Sequence, residues 1–307
     1  MKLLLIILAL TALIHLVNTL AFSVRLSGVR TGQLATAYSL YNVIFLTAST
    51  ANSVQIFLVP AIVDREINRG GEAATFLAGE QLVYLEQQMR IILGAATVGT
   101  IVGALLIPVF VIVFIRAMEI FEETGSVPKL IGRVLVSPSL LFSVTSSRKQ
   151  LSKQPEFPLG AVSKSGPKSE SESDSDSGSG QLVKPGSGPS LPIPKVFIGL
   201  NALVAGIYTT GVLSSIYAGA LFPEARQTAI TLAPVINGVA TVMSAAVVDP
   251  TVANITDQAL RGERSEEDVK RMVNYLSVSR VVGTVIAQAI FLPAAYLINL
   301  IAVALVG

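Results

Sequence analysis

The chain has 307 residues, of which 51% are hydrophobic and only 14% charged, with a net charge of +2. A water-soluble chain of this size carries about 25% charged residues, so a soluble enzyme is a poor fit and a nucleic-acid-binding protein is excluded by the weak charge. With no cysteine and one histidine, disulfides, Cys-ligated zinc, iron–sulfur clusters and His-rich metal centres are excluded as well.

Uncharged apolar runs dominate both ends of the chain. A bilayer-crossing helix needs about 20 apolar residues, and six runs meet that length, near 3–24, 36–62, 91–115, 196–221, 227–248 and 281–306. The first begins Met1-Lys2-Leu3-Leu4-Leu5 and has the look of a signal peptide. It continues to Val24 and holds His15 and Asn18, which favours a retained helix. The second run contains Thr47-Ala48-Ser49-Thr50-Ala51-Asn52-Ser53-Val54-Gln55. That stretch is too polar to face lipid and is expected to face helices or a cavity. The fold class is therefore an all-α polytopic membrane protein of about six transmembrane helices.

The domain plan is a first three-helix unit over 1–116, an interfacial amphipathic segment over 117–145, a linker over 146–194 and a second three-helix unit over 195–307. The linker core, Ser169-Glu170-Ser171-Glu172-Ser173-Asp174-Ser175-Asp176-Ser177-Gly178-Ser179-Gly180, has nothing to bury and is expected to be disordered. Six spans put the 1–2, 3–4 and 5–6 loops on one face, where 17 of the 22 Lys and Arg residues fall, against 5 on the other. The positive-inside rule places that face and the linker in the cytoplasm and both termini outside.

The two units resemble each other. Thr36–Ile44 matches Thr228–Ile236, Ala61-Ile62-Val63-Asp64 matches Ala246-Val247-Val248-Asp249, and Val98-Gly99-Thr100 matches Val282-Gly283-Thr284. Asp64 to Pro108 and Asp249 to Pro293 are both 44 residues. Three spans per unit is an odd number, so the second unit is expected to be inverted, as in many transporters. Between Ile44 and Asp64 the first unit has 20 steps, against 13 between Ile236 and Asp249. The surplus falls in Thr47–Gln55, so an unwound helix is expected there.

No catalytic pair, phosphate loop or metal motif stands out, and no cofactor or metal is expected. Asp64 and Asp249 read as span-end charges or as ion-coupling groups. On a helix His15, Asn18, Phe22 and Arg25 form one stripe at i, i+3, i+7 and i+10. Polar residues within a span face the bundle and are functional candidates. Arg25 and Arg30 flank Ser27-Gly28 with no acidic neighbour in sequence, an arrangement that suits phosphate oxygens or a simple cytoplasmic anchor. Arg280 opens span 6 on the same face. The candidate substrate-binding set is Arg25, Arg30, His15, Asn18, Asn42, Asn52, Gln55 and Arg280.

One long segment carries a family resemblance. His15-Leu16-Val17-Asn18-Thr19-Leu20-Ala21-Phe22-Ser23-Val24-Arg25-Leu26-Ser27-Gly28-Val29-Arg30-Thr31-Gly32, followed by Ser39-Leu40-Tyr41-Asn42-Val43, resembles the Amj family of bacterial lipid II flippases, alternates to MurJ. The likeness is strongest over 14–64. It implies a multi-pass protein of the bacterial plasma membrane that moves lipid II, a polyprenyl-diphosphate lipid, to the outer leaflet for cell wall synthesis. It implies a transporter, not an enzyme, with lipid II and membrane lipids as its partners. On that implication Arg25 and Arg30 capture the diphosphate, while Asn18, Asn42, Asn52 and Gln55 line the path. Two other readings stay open from the residues alone: a secondary transporter of a small solute or ion, and a membrane scaffold that uses the acidic linker.

Overall fold

A chain in hydrocarbon must satisfy its backbone polar groups internally, and every long apolar run here does so as a helix. The structure is a computed structural model, and it describes residues 2–69, 79–137 and 184–306. Span 1 is α1 (Lys2–Leu20) and α2 (Phe22–Thr31), separated only at Ala21. Gly32 ends α2 in the left-handed region (φ 71°), where its N–H reaches the Gly28 and Val29 carbonyls. Gln33 N–H also bonds Gly28 O at 3.0 Å, completing a Schellman closure. Span 2 is α3 (Leu34–Arg69), span 3 is α4 (Gly79–Thr124), and a short helix α5 (Val127–Val136) follows. Span 4 is α6 (Val196–Leu221). Span 5 is α7 (Arg226–Thr231), α8 (Ala233–Met243) and α9 (Asp249–Leu260), and span 6 is α10 (Glu266–Val306). All six are long and apolar enough to cross a membrane. At 1.5 Å per residue the 46 residues of α4 extend about 69 Å, roughly twice the ~30 Å hydrocarbon core. Their outward surfaces are apolar, with Phe57 80% and Leu105 74% exposed, as a lipid-facing surface requires.

The expected unwinding of span 2 does not occur. α3 runs unbroken through Thr47–Gln55. The reason is local: Thr50 Oγ1 and Ser53 Oγ donate to the Leu46 and Ser49 carbonyls at 2.9 and 3.1 Å, so these hydroxyls spend themselves on their own helix. The irregularity lies in span 5 instead. That span breaks at Leu232, before Pro234, and widens into a π-turn over Ser244–Val248, before Pro250. Each proline lacks the N–H that an α-turn needs, so the backbone takes another turn type.

Within the first unit α4 packs along α1, and within the second α10 packs along α6; these are the two most extensive interfaces. Both crossings close on a glycine of the Val-Gly-Thr motif. A Cβ on Gly99 would meet the Ala12 carbonyl oxygen at 2.1 Å, and one on Gly283 the Ala202 carbonyl oxygen at 2.3 Å. Small residues let membrane helices approach this closely. The two units then join through α4 and α10. Arg90 Nη1 donates to Gln288 O and Gln288 Nε2 to Arg90 O, both at 2.9 Å.

The first unit does not stop at 116, because α4 continues to Thr124 before α5 begins. α5 buries Leu130 and exposes Ile131 and Val136 beside Lys129 and Arg133. The linker core Ser169–Gly180 lies outside the described residues. The linker's last part, from Lys184 to Pro194, lies within the described residues and is tied to span 6. Ser190 Oγ and the Leu191 N–H donate to Asp268 at 2.8 and 2.7 Å, and Ser265 N–H donates to Pro189 O at 3.1 Å. Asp268 is fully buried and is also paired with Arg271 at 2.7 Å and Arg264 at 3.6 Å.

Candidate functional site

Spans 2 and 5 scarcely touch, and a cavity of about 850 Å³ opens between them, backed by spans 1, 4 and 6. One wall comes from the first unit. His15 and Asn18 reach it from α1, and Ser49, Asn52 and Gln55 from α3. Their spacing places each set on one helical face. Gln55 Nε2 donates to Thr11 Oγ1 at 2.7 Å, which fixes the amide against span 1. The opposite wall comes from the second unit: Tyr208 from α6, Thr231 and Asn237 from α7 and α8. Tyr208 Oη shares a hydrogen bond with Thr241 Oγ1 at 2.6 Å.

Arg280 enters this cavity from the start of the uncharged part of α10. No acidic side chain pairs with it among the described residues, and its buried Nε has no hydrogen-bond partner. His15, Tyr41 and Tyr208 lie within its electrostatic range. No side chain among the described lining residues is acidic. Desolvating an unpaired cation is costly, so this wall offers a strong site for an anion. His15 Nδ1 and Asn237 Oδ1 are also buried without partners.

Of the eight residues singled out from the sequence, His15, Asn18, Asn52, Gln55 and Arg280 meet in the cavity. Arg25, Arg30 and Asn42 do not. Asn42 is exposed on α3 and is not among the residues that line the cavity. Arg30 is not unpaired, because its Nε meets Glu266 Oε1 at 2.8 Å, a partner 236 residues away that no local reading finds. Arg25 packs over the Phe22 and Tyr38 rings, 5.9 and 6.0 Å from their centroids, with its buried Nε unpartnered. Tyr41 lies within electrostatic range of both Arg25 and Arg280. Asp64, at the end of span 2, forms an ion pair with Arg226 at the start of span 5. Tyr208, Thr231 and Asn237 were not anticipated. The match of residues 36–44 with 228–236 held a signal, since Asn237 follows Ile236 as Phe45 follows Ile44, and both line the cavity.

The model of the family described as "Alternate to MurJ" matches residues 10–156 and 178–302. The chain belongs to the Amj family. A relative from Bacillus subtilis (strain 168), named lipid II flippase Amj, is 36% identical over 286 residues, covering 93% of this chain and 91% of that relative. The similarity thus spans both three-helix units of this Amj-family chain, including the cavity walls. No solved structure matches the chain.

Proposed function

We propose that this chain is a lipid II flippase of the bacterial plasma membrane and that the cavity between spans 2 and 5 is its headgroup path. The observation that carries the reading is Arg280, a cation with no acidic partner among the described residues, set in a cavity that also holds His15, Asn18, Asn52 and Gln55. The near full-length similarity to a relative with that name supports the same reading. A diphosphate-linked headgroup cannot cross hydrocarbon unaided, because burying unpaired charge costs tens of kcal/mol in the Born limit. A wet cationic cavity removes that barrier. The gap between spans 2 and 5 lets the polyprenyl tail stay in lipid while the head moves inside.

Arg25 and Arg280 act in series on this reading, Arg25 nearer the cytoplasmic end and Arg280 in the cavity, with Tyr41 between them. Asn18, Asn52, Gln55 and His15 bind the head beside Arg280. Arg30 serves structure through Glu266. The termini lie outside and the linker inside, as the distribution of Lys and Arg supports. The units are inverted repeats, supported by the matched glycine crossings and by Pro108 and Pro293 at matching places in α4 and α10. An inside-negative potential drives an anionic head outward by about 2.3 kcal/mol per charge per 100 mV.

The test is reconstitution of the purified chain in liposomes with fluorescent lipid II and a membrane-impermeant quencher. The fraction protected from quenching falls if the chain moves the lipid. A protected fraction equal to that of protein-free liposomes, with insertion verified, overturns the proposal.

A further inference from the structure

We infer that the cavity wall formed by Tyr208, Thr231 and Asn237 is a saccharide subsite, which takes the sugar joined directly to a diphosphate held at Arg280. The inference rests on the reading of Arg280 as the diphosphate site. Tyr208 and Arg280 line the same cavity, so a group bonded to a phosphate at Arg280 can reach the Tyr208 ring. The ring is 40% exposed, and its hydroxyl is anchored on Thr241 at 2.6 Å. An anchored ring with a free face suits the C–H face of a hexose.

Asn237 is set for a matching polar contact. Gly211, one turn beyond Tyr208 on α6, leaves a notch that the Asn237 carboxamide fills. A Cβ on Gly211 would stand 2.3 Å from Asn237 Oδ1. The amide is thereby fixed in place, yet its Oδ1 has no donor. That oxygen is turned into α6, and Asn237 lines the cavity with the rest of its side chain. Thr231 donates its hydroxyl to the Gln227 and Thr228 carbonyls at 3.0 and 2.9 Å, which leaves its oxygen free to accept. Amide and hydroxyl groups beside an aromatic ring, with no carboxylate among the described lining residues, match the hydroxyl and N-acetyl groups of an amino sugar. They do not match the charged groups of a peptide stem.

The experiment measures binding to the purified full chain in detergent. One probe is a short-chain polyprenyl diphosphate, and the other is the same diphosphate carrying N-acetylmuramic acid. Asn237→Leu and Tyr208→Ala are expected to weaken the sugar-bearing probe about tenfold, and the bare diphosphate by less than about twofold, because a site built for polar groups penalises their loss. Asn237→Ala is neutral and smaller and guards against misfolding; it too is expected to weaken only the sugar-bearing probe. If these variants leave the sugar-bearing probe unchanged, or weaken both probes alike, the subsite is wrong. If Arg280→Gln leaves both probes unchanged, the underlying diphosphate reading fails instead.

Discussion

Asp64 and Arg226 join the end of span 2 to the start of span 5 through an ion pair, at one mouth of the gap that opens into the cavity. These spans otherwise scarcely touch. Both side chains are partly exposed, so the pair adds only about 0–1 kcal/mol to stability. Its effect belongs to opening the gap. Asp64→Arg or Arg226→Asp alone places like charges at this mouth and is expected to impair lipid transport with little change in melting temperature. The double exchange restores the opposite charges and is expected to recover transport. Single variants with normal transport would show that the pair does not control the mouth.

The glycine crossings give a stability prediction. Gly99→Ala and Gly283→Ala force a Cβ into the carbonyls of Ala12 and Ala202. Overpacking of this kind costs about 1–3 kcal/mol, so both variants should melt earlier in detergent. Gly94 and Gly199 have nothing within 4 Å of the added atom. Alanine there is expected to be neutral or to stabilise by about 0.5–1 kcal/mol, since glycine is a weak helix former.

The buried carboxylate of Asp268 holds the end of the linker to span 6. Asp268→Ala leaves Arg264, itself 5% exposed, without its counter-charge. Breaking one side of a buried pair costs about 3–5 kcal/mol. Limited proteolysis is then expected to cut within Lys184–Pro194 faster than in the native chain. Unchanged protection would contradict the role given to Asp268.

The arginines separate by their partners. Arg30→Ala removes an exposed ion pair with Glu266 and is expected to leave transport largely intact. Arg25→Ala and Arg280→Gln remove cations that no carboxylate balances among the described residues, and each is expected to lower transport at least tenfold. Transport assays at matched protein levels decide the order. Arg30→Ala as severe as Arg280→Gln would return Arg30 to the substrate path.

The six spans and most of one cavity wall were legible because hydropathy and helical spacing are local. His15 and Asn18 share a face by their spacing alone, and the polar stretch of span 2 pointed to Asn52 and Gln55. The partner of Arg30 was not legible, because Glu266 meets it only after the units assemble. Nor was the straightness of α3, since the surplus residues suggested unwinding while Thr50 and Ser53 satisfied their own helix. Proline alone did not mark broken backbone, since Pro234 and Pro250 follow breaks while Pro60, Pro108 and Pro293 lie inside unbroken helices. The second wall, with Tyr208 and Asn237, was not legible because these residues look ordinary in an apolar span and meet the first wall only when the helices assemble.

The central claim is tested most directly in bacteria depleted of their own lipid II flippase and expressing either this chain or its Arg280→Gln variant. The measurement is cleavage of lipid II by an externally added lipid-II-degrading enzyme. The account predicts that the native chain restores cleavage and that the variant, present in the membrane at equal level, does not. No cleavage with the native chain in place would contradict the flippase reading, and equal cleavage with both would contradict the part assigned to Arg280.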